Sequence, residues 1–150
     1  MKNLLVALFA MVTYTTAQAQ FVAKMEVKED IPGICDKDEV YALFPMFKGQ
    51  VEPKCSLSKE DIQDKLNEIP FLKENPKFKG EGMMGLIINC KGDVVKCAVD
   101  NKTGKDDLDK QIEDVFKTLT EWTIGTLNGN PVDASKLYSY KIKGGELTLN

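Results

Sequence analysis

The clearest structural signal in this chain lies between residues 82 and 142, and it begins with GMMGLIINCKGDVVKCAVD (82–100). Apolar residues alternate with other residues on both sides of a glycine-containing loop at 89–92. Such alternation is typical of strands, and a short glycine loop between two alternating runs predicts a β-hairpin. A four-residue loop would place Met84 opposite Cys97, with both side chains on the buried face of the sheet.

The segment that follows, 106–119, has the periodicity of a helix. Its apolar residues recur every three or four positions, which is typical of one buried helix face. They are Leu108, Ile112, Val115, Phe116 and Leu119. Acidic residues concentrate in the first half, where they interact favourably with the helix dipole. We interpret Asp106, Asp107 and Asp109 as a solvated helix start rather than a cation site.

The same region ends with EWTIGTLNGNPVDASKLYSYKI (121–142), which predicts a turn and a closing strand. Trp122 is expected to fill the core beneath that strand. The Asn-Gly-Asn-Pro run at 128–131 predicts the turn, because these residues favour turn conformations. Alternating apolar residues over 138–142 predict the strand. A glycine pair then predicts a further turn into a short strand at 146–149.

A second amphipathic helix is predicted to begin at Ser58. Ser58 and Asp61 match the capping-box pattern, in which two side chains satisfy exposed N–H groups at the start of a helix. Apolar residues between Ile62 and Ile69 recur at helical spacing and share one face. Pro70 then ends the helix, because proline interrupts the helical hydrogen-bond pattern.

The order of these elements predicts an α+β fold. Each helix has one apolar face, so we expect a two-layer domain: an antiparallel sheet of three or more strands with two helices on one face. Residues 58–150 form this domain, residues 20–57 form an irregular N-terminal segment, and 20–150 make one folded unit. Residues 21–31 fit an irregular leading strand. Residues 35–44 fit a helical face or a strand, and we favour a helix or turn.

The first 19 residues are interpreted as a signal peptide. Lys2 precedes an apolar run at 4–12, and Ala17 and Ala19 match the small-residue rule for cleavage. The run is far shorter than the roughly 20 apolar residues that cross a bilayer. We therefore expect cleavage after Ala19 and a mature chain without a membrane span, in the periplasm or secreted.

An even number of cysteines in an exported chain predicts disulfide bonds. The candidates are Cys35, Cys55, Cys90 and Cys97. The hairpin register separates Cys90 from Cys97 too widely for a bond, and a helix antiparallel to the first hairpin strand would bring Cys55 towards Cys90. We therefore favour Cys55–Cys90 with Cys35–Cys97, and Cys35–Cys55 stays open. No pair has the spacing of a zinc knuckle.

Charge and residue content argue against several classes of function. The chain has a formal net charge of −3 at pH 7 and no His, and every basic residue is Lys. Lys lacks the bidentate guanidinium fork that suits phosphates and bases, so a nucleic-acid partner is not expected. His is the commonest general base and metal ligand. We therefore predict no enzyme activity, no catalytic residues, no metal and no cofactor.

Three catalytic or cofactor motifs occur out of context. G-x-G-x-x-G at 80–85 precedes a strand, whereas a dinucleotide fingerprint follows one and opens a helix. S-x-x-K at 56–59 and K-T-G at 102–104 are two signatures of penicillin-recognising enzymes, but S-D-N is missing from the sequence. Ser58 is explained as a helix cap, so these matches do not change the prediction.

Taken together, these residues resemble the C-terminal domain of TonB-like proteins, the periplasmic part of an energy transducer for outer-membrane transporters. The resemblance covers the strand–glycine turn–strand, the following helix, a W-x-x-G…N-G-x-P-V segment and, more weakly, a P-x-F-P-G-G entry. The corresponding residues are 85–94, 108–119, 122–132 and 45–49. The last of these lacks the second proline and the second glycine of the family pattern.

The resemblance implies a non-catalytic module that binds a protein or peptide of the cell envelope, such as an outer-membrane transporter, by adding a strand to a sheet edge. The expected partner surface is Trp122, Leu137, Tyr138, Tyr140 and Ile142. The sequence shows neither an anchor nor a proline-rich spacer, so we expect a link to transport without energy transduction. The hairpin turn at 144–145 would also cover the edge beside the last strand. The alternative is a disulfide-stapled secreted structural or inhibitor protein.

Overall fold

The computed structural model describes residues 21–150. The predicted signal peptide, with cleavage after Ala19, lies outside this range. Within it, the helices are all too short or too polar to traverse a lipid bilayer.

The described chain is a mixed α+β structure with three short helices and two sheets. Its elements, in chain order, are β1 (Ala23–Glu26), β2 (Glu39–Ala42), β3 (Gln50–Val51), α1 (Lys59–Asn67), α2 (Pro70–Glu74), β4 (Lys79–Ile88), β5 (Val94–Asn101), α3 (Asp106–Lys117), β6 (Gly125–Leu127), β7 (Asn130–Val132), β8 (Ala134–Lys143) and β9 (Glu146–Leu149). The main sheet has six strands and the smaller one has three. The predicted α+β class is therefore confirmed, with one more short helix than the sequence indicated.

The main sheet has the strand order β1-β2-β8-β4-β5, and β9 also pairs with β8. Every pairing in it is antiparallel except that of β2 with β8. The prediction of a purely antiparallel sheet is therefore wrong at this pair. A parallel pair requires a long connection, and here the connection contains most of the chain.

The N-terminal segment contributes strands where the sequence favoured a helix or turn. Residues 39–42 form β2, whose Val40 is buried. β2 lies between β1 and β8, and Tyr41 N donates to Asp133 O at 2.9 Å. Pairing on both sides therefore overrides the helical pattern, because tertiary contacts decide the conformation of a short ambiguous run.

The predicted β4–β5 hairpin is present, but its register differs from the prediction. Leu86 pairs with Cys97, and Met84 pairs with Val99 rather than with Cys97. The loop is one residue longer than expected, and an irregularity between Ile87 and Ile88 shifts the ladder again. Two one-residue shifts restore the original facing, because side chains alternate with a period of two. Met84 and Cys97 consequently still share a face.

Local signals placed both longer helices correctly. The Ser58 hydroxyl accepts a hydrogen bond from Asp61 N at 3.1 Å, and the Asp61 carboxylate accepts one from Ser58 N, so the capping box at α1 is complete. Pro70 begins α2 in addition to ending α1, since proline is tolerated in the first turn of a helix. Asn128 and Gly129 both have positive φ, as the tight turn of the β6–β7 hairpin requires.

One hydrophobic core joins the three helices to one set of strand positions. Its strand members are alternate residues of β4, β8 and β9, and Trp122 is part of it. The buried members are Ile62, Leu66, Ile69, Leu72, Met84, Leu86, Ile88, Leu108, Ile112, Phe116, Leu119, Trp122, Tyr140, Ile142, Leu147 and Leu149. The expected burial of Trp122 beneath the closing strand is confirmed, since only 8% of it is exposed.

Truncation of this core tests the fold. Leu86→Ala should lower the free energy of unfolding by about 2–5 kcal/mol, because it removes buried methyl groups and leaves a cavity. Met46→Ala is the matched control: Met46 is 83% exposed, and its loss should cost no more than about 0.5 kcal/mol. Urea unfolding measures both values, and equal losses in the two variants would contradict the assigned core.

Candidate functional site

The main sheet has a second face that is also partly covered. Along β4, Met84 and Leu86 belong to the core, so Gly85 and Ile87 face the opposite side. Residues 27–35 follow β1 and lie against this side of the sheet. We call this segment the strap. Ile31 of the strap is buried. The strap therefore covers part of a sheet face that would otherwise be open to solvent.

A groove of about 420 Å³ lies between the strap and this sheet face. Its apolar lining comes from β1, the strap, β2 and the three strands β4, β5 and β8. The apolar lining residues are Met25, Val27, Ile31, Val40, Ala42, Leu86, Ile87, Ala98 and Leu137. This volume falls in the range of sites that hold a small ligand or a few side chains of a peptide.

Charged residues border the groove on the β5 side. Glu29 of the strap forms an ion pair with Lys96 of β5, and Asp100 also lines the groove. Both members of the ion pair are largely exposed, so it contributes only about 0–1 kcal/mol to holding the strap. The groove thus has an apolar interior and a polar, solvated margin.

β4 pairs with β8 along its whole length, but on the other side of β8 the pairing has a gap at residues 136–138. β2 pairs with β8 as far as Ser135, and beyond the gap Ser139 O accepts a hydrogen bond from Asn150 N at 2.9 Å. Backbone polar groups alternate sides along a strand, so those of Leu137 point in the same direction as those of Ser139. Among residues 21–150, no strand pairs with Leu137 on that side.

The far end of the strap is fixed by a disulfide bond. Cys35 and Cys90 are bonded, with their Cα atoms 6.1 Å apart and a sequence separation of 55 positions. The predicted pairs Cys55–Cys90 and Cys35–Cys97, and the alternative Cys35–Cys55, are therefore wrong. Cys55 and Cys97 are free thiols.

The error has a physical cause in the path of the chain. Cys55 forms an isolated β-bridge with Trp122, and its Sγ donates to Thr120 O at 3.8 Å, so its thiol is held at the tryptophan turn. The strap crosses the sheet instead and brings Cys35 to that loop. Cys97 lies on the core side, where its Sγ is 3.7 Å from Met84 Sδ. Burial, and then the charge of Glu113, raise the pKa of Cys97 to about 11.

A buried carboxylate holds the backbone on both sides of the disulfide. Asp133, which is 1% exposed, connects β7 to β8. Its Oδ2 accepts hydrogen bonds from Cys35 N at 2.9 Å and Asp36 N at 2.6 Å. Its Oδ1 accepts one from Cys90 N at 3.0 Å. Three backbone donors from two distant segments thus share one side chain.

Asn89 provides a further polar link at this end of the groove. Its side-chain N–H groups donate to Gly33 O at 2.9 Å and to Asp93 Oδ2 at 3.2 Å. Its carbonyl oxygen accepts from Lys91 N and Asp93 N, each at 2.9 Å. Asn89 therefore shapes the β4–β5 loop and fastens the strap to it.

Cys35, Cys90 and Asp133 are the only group of potential metal ligands that converges in the described part of the chain, with ligand atoms within 4.8 Å of one another. The two sulfur atoms are bonded to each other, and the carboxylate oxygens already accept backbone hydrogen bonds. Thiolate sulfur is the form that ligates metals. In its disulfide form this cluster fits a structural link rather than a metal site.

The five residues predicted as a partner surface do not form one exposed patch. Trp122 donates its indole N–H to Leu119 O at 3.2 Å inside the core. Tyr140 and Ile142 are buried, and Tyr138 packs its ring against Phe116 and Trp122. Leu137, at 54% exposure, is the member of the set that offers apolar surface to a ligand, and it lines the groove.

The sheet edge expected beside the closing strand is already occupied. β8 is an interior strand, because β4 pairs on one side and β2 and β9 pair on the other. The outer edge of β9 is satisfied by α1: Asn67 exchanges two hydrogen bonds with Leu147, and Gln63 Oε1 accepts from Leu149 N at 3.0 Å. Side chains that occupy the backbone groups of an edge strand block the addition of another strand.

Comparison with known proteins adds no assignment: the chain matches no family model, no curated protein and no solved structure. The resemblance to the TonB C-terminal domain therefore stays a prediction.

Sequence reasoning missed the groove residues Val27, Ile31 and Ala98 and the carboxylate of Asp133. One signal for the groove was present. β4 is apolar at Ile87 as well as at its core positions, and a strand that is apolar on both faces is covered on both faces. Nothing local in the sequence marks Asp133, because its partners lie 43 or more residues away.

Asp133→Ala should be strongly destabilising, because it leaves three backbone N–H groups without their acceptor. We expect a loss of about 3–5 kcal/mol in the free energy of unfolding, since each buried unpaired donor costs about 1–3 kcal/mol and water can reach some of them. Asp114→Ala, at an exposed position of α3, is the control and should stay within about 0.5 kcal/mol. Chemical denaturation of both variants measures this difference. Equal denaturation midpoints in the two variants would contradict the role of Asp133.

Tyr140 generates a prediction about alkaline pH. Burial, and then the charge of Asp109, raise the pKa of Tyr140 to about 12. Its hydroxyl and Asp109 Oδ2 are buried without a hydrogen-bond partner in the described residues.

Asp109 Oδ1 accepts from Thr103 N at 3.0 Å, so this residue is a buried loop cap and not part of a solvated helix start.

The unfolded chain loses the tyrosine proton near its ordinary pKa of 10.0, whereas the folded chain keeps it to about 12. Stability should therefore fall as the pH rises above about 10, with a slope of up to about 1.4 kcal/mol per pH unit from this residue. Tyr140→Phe should be neutral or stabilising near neutral pH and should reduce that slope. Urea unfolding across the alkaline range tests this, and an unchanged slope in Tyr140→Phe would count against it.

Proposed function

We propose that the protein is a non-catalytic module that binds an extended segment of another protein of the cell envelope. The groove under the strap is the proposed binding site. The single observation that carries the proposal is an apolar groove beside a strand position, Leu137, that has no strand partner among residues 21–150 on the side away from β4. In this proposal the protein acts in the periplasm or after secretion, following removal of residues 1–19.

The contacts of the helices support the location of this binding site. α1 contacts β9 and α3 contacts β5, and the core includes only one set of alternating strand residues. We infer from this that the helices form one layer on one face of the sheet. The opposite face, which carries Ile87 and Ala98, is then left for the strap and for a ligand.

The chemistry of the groove suits a peptide better than a purely aliphatic ligand. Its apolar lining would accept aliphatic or aromatic side chains, whose burial contributes about 25 cal/mol per Å². An aliphatic ligand would leave the N–H and C=O groups of Leu137 unsatisfied once water is displaced. A peptide backbone supplies both a donor and an acceptor, as in other cases where an extended chain pairs with a strand.

The TonB-like resemblance would add a second mode on the same side of the molecule. Among the described strands, β5 pairs only with β4, so its outer edge is available for strand addition. Lys96, Ala98 and Asp100 of β5 also line the groove. A bound segment could therefore continue from the groove to this edge, and an outer-membrane transporter is the partner class that the resemblance implies. Energy transduction by this chain is not part of the proposal.

The alternative function is that of a disulfide-stapled structural or inhibitor protein. The observation that favours it is the Cys35–Cys90 bond with its shared Asp133 acceptor, because both stabilise the fold without involving a ligand. This alternative predicts no ligand whose binding depends on Leu137.

Selection from a displayed library of linear peptides, followed by affinity measurements on purified protein, tests the proposed function. Leu137→Asp should weaken binding of the selected peptides by about tenfold or more, which corresponds to about 1.4 kcal/mol. Thr148→Asp is the matched control, because Thr148 is exposed on a strand whose neighbouring residues Leu147 and Leu149 are buried. It introduces the same charge outside the groove and should change the affinity less than about twofold.

Two outcomes would contradict the proposal. One is that no peptide is enriched over an unrelated exported protein. The other is that the two aspartate variants bind the selected peptides equally well, which would place the binding surface elsewhere.

A further inference from the structure

Two kinds of interaction, which we call the ties of the strap, hold it against the sheet: a covalent bond and a set of hydrogen bonds. The covalent tie is the Cys35–Cys90 disulfide. The polar ties are the hydrogen bonds of Cys35 N and Asp36 N to Asp133 and the bond of Asn89 to Gly33 O. The exposed Glu29–Lys96 ion pair adds little. The covalent tie is the one that responds to a reductant.

The core of the molecule does not depend on the strap. The buried core residues begin at Ile62 and continue to Leu149, and none of them belongs to the strap. Regions with few buried apolar contacts open before the core does. Loss of a tie at residues 27–35 should therefore loosen the strap first.

We propose that the Cys35–Cys90 disulfide is a redox-sensitive latch that keeps the strap closed over the groove. Oxidation closes the latch, and reduction by a dithiol loosens the strap and weakens ligand binding while the core stays folded. This regulation rests on the proposed function of the groove.

The chemistry is thiol–disulfide exchange with a dithiol reductant. A thiolate of the dithiol attacks Cys35 Sγ, because Cys35 is exposed whereas Cys90 is half-buried. The Cys35–Cys90 bond breaks, and the Cys90 sulfur leaves as a thiolate and takes up a proton. The second thiol of the dithiol then displaces Cys35 from the mixed disulfide. Two protein thiols are formed, and the dithiol is oxidised to a disulfide.

Asp133 makes the latch reversible. In the reduced protein its two oxygens can still accept from Cys35 N and Cys90 N, which keeps the two thiols close together for reoxidation. The strongly raised pKa of Cys97 keeps that thiol protonated at neutral pH, so it is a poor nucleophile for exchange with the latch. We therefore expect Cys35 and Cys90 to pair again in preference to a bond with Cys97.

Amide hydrogen exchange measured by NMR, with and without dithiothreitol, tests the latch without any ligand. The amides of Ile34 and Cys35 in the strap, and of Asp36 directly after it, are all hydrogen-bonded in the oxidised protein and should exchange about tenfold faster after reduction. The amides of Leu86 and Ile112 in the core should be unchanged. Asp133→Asn should increase the response of the strap, because it weakens one of the two remaining polar ties.

The coupling of the latch to the groove is tested with the peptides selected on the oxidised protein. Their affinity should fall about tenfold on reduction, and the double variant Cys35→Ser with Cys90→Ser should show the low affinity under both conditions. Cys55→Ser is the control and should respond to dithiothreitol like the natural chain.

Three results would overturn the latch. Equal acceleration of strap and core amides would mean that the disulfide holds the whole fold, and unchanged strap amides would mean that it does not hold the strap. An affinity that is insensitive to reduction would remove the link between strap and groove. If no peptide binds at all, the proposed function fails, but the exchange measurement still decides whether the strap opens on reduction.

Discussion

The attachment of the strap to the β4–β5 loop is the constraint on which the binding face depends. Cys35 reaches Cys90 across the sheet, and Asp133 accepts hydrogen bonds from the backbone of both. Without this attachment, the apolar residues Ile87 and Ala98 would lie on an uncovered sheet face. With it, the face is covered only in part, and the space between strap and strands is the groove.

The two faces of the sheet are covered by very different means. Large buried side chains from three helices share one core with alternate residues of β4, β8 and β9, and each contributes about 1.5–3 kcal/mol through burial. The strap covers the other face with the single buried residue Ile31, a few polar ties and one covalent bond. Such an arrangement combines a stable core with a binding face that can change, since functional segments are drawn from the less stable parts of a fold.

The sequence correctly predicted those features that are determined by local residue patterns. Periodicity placed α3, the β4–β5 hairpin and the burial of Trp122, and the capping residues Ser58 and Asp61 placed the start of α1. Long-range pairing controlled the rest. The hairpin register depended on a bulge, and β2 became a strand because β8 lies beside it.

The groove could be inferred only in part for the same reason. Ile87 indicated that a second face of the sheet is covered. Which segment covers it depended on the path of the strap across the sheet, and no local pattern encodes that path. The disulfide prediction failed at this step, because it brought Cys55 to the loop by way of a helix when the strap brought Cys35. Of the predicted partner residues, Leu137 lines the groove, and Trp122, Tyr140 and Ile142 belong to the core.

Peptide mapping of the alkylated, unreduced protein determines whether a disulfide bond joins the strap to the β4–β5 loop. We expect one cross-linked pair of peptides, which contains Cys35 and Cys90, and alkylated thiols at Cys55 and Cys97. A cross-link that joins Cys90 to Cys55, or Cys35 to Cys97, would contradict it, because the strap could not then lie across the sheet as described.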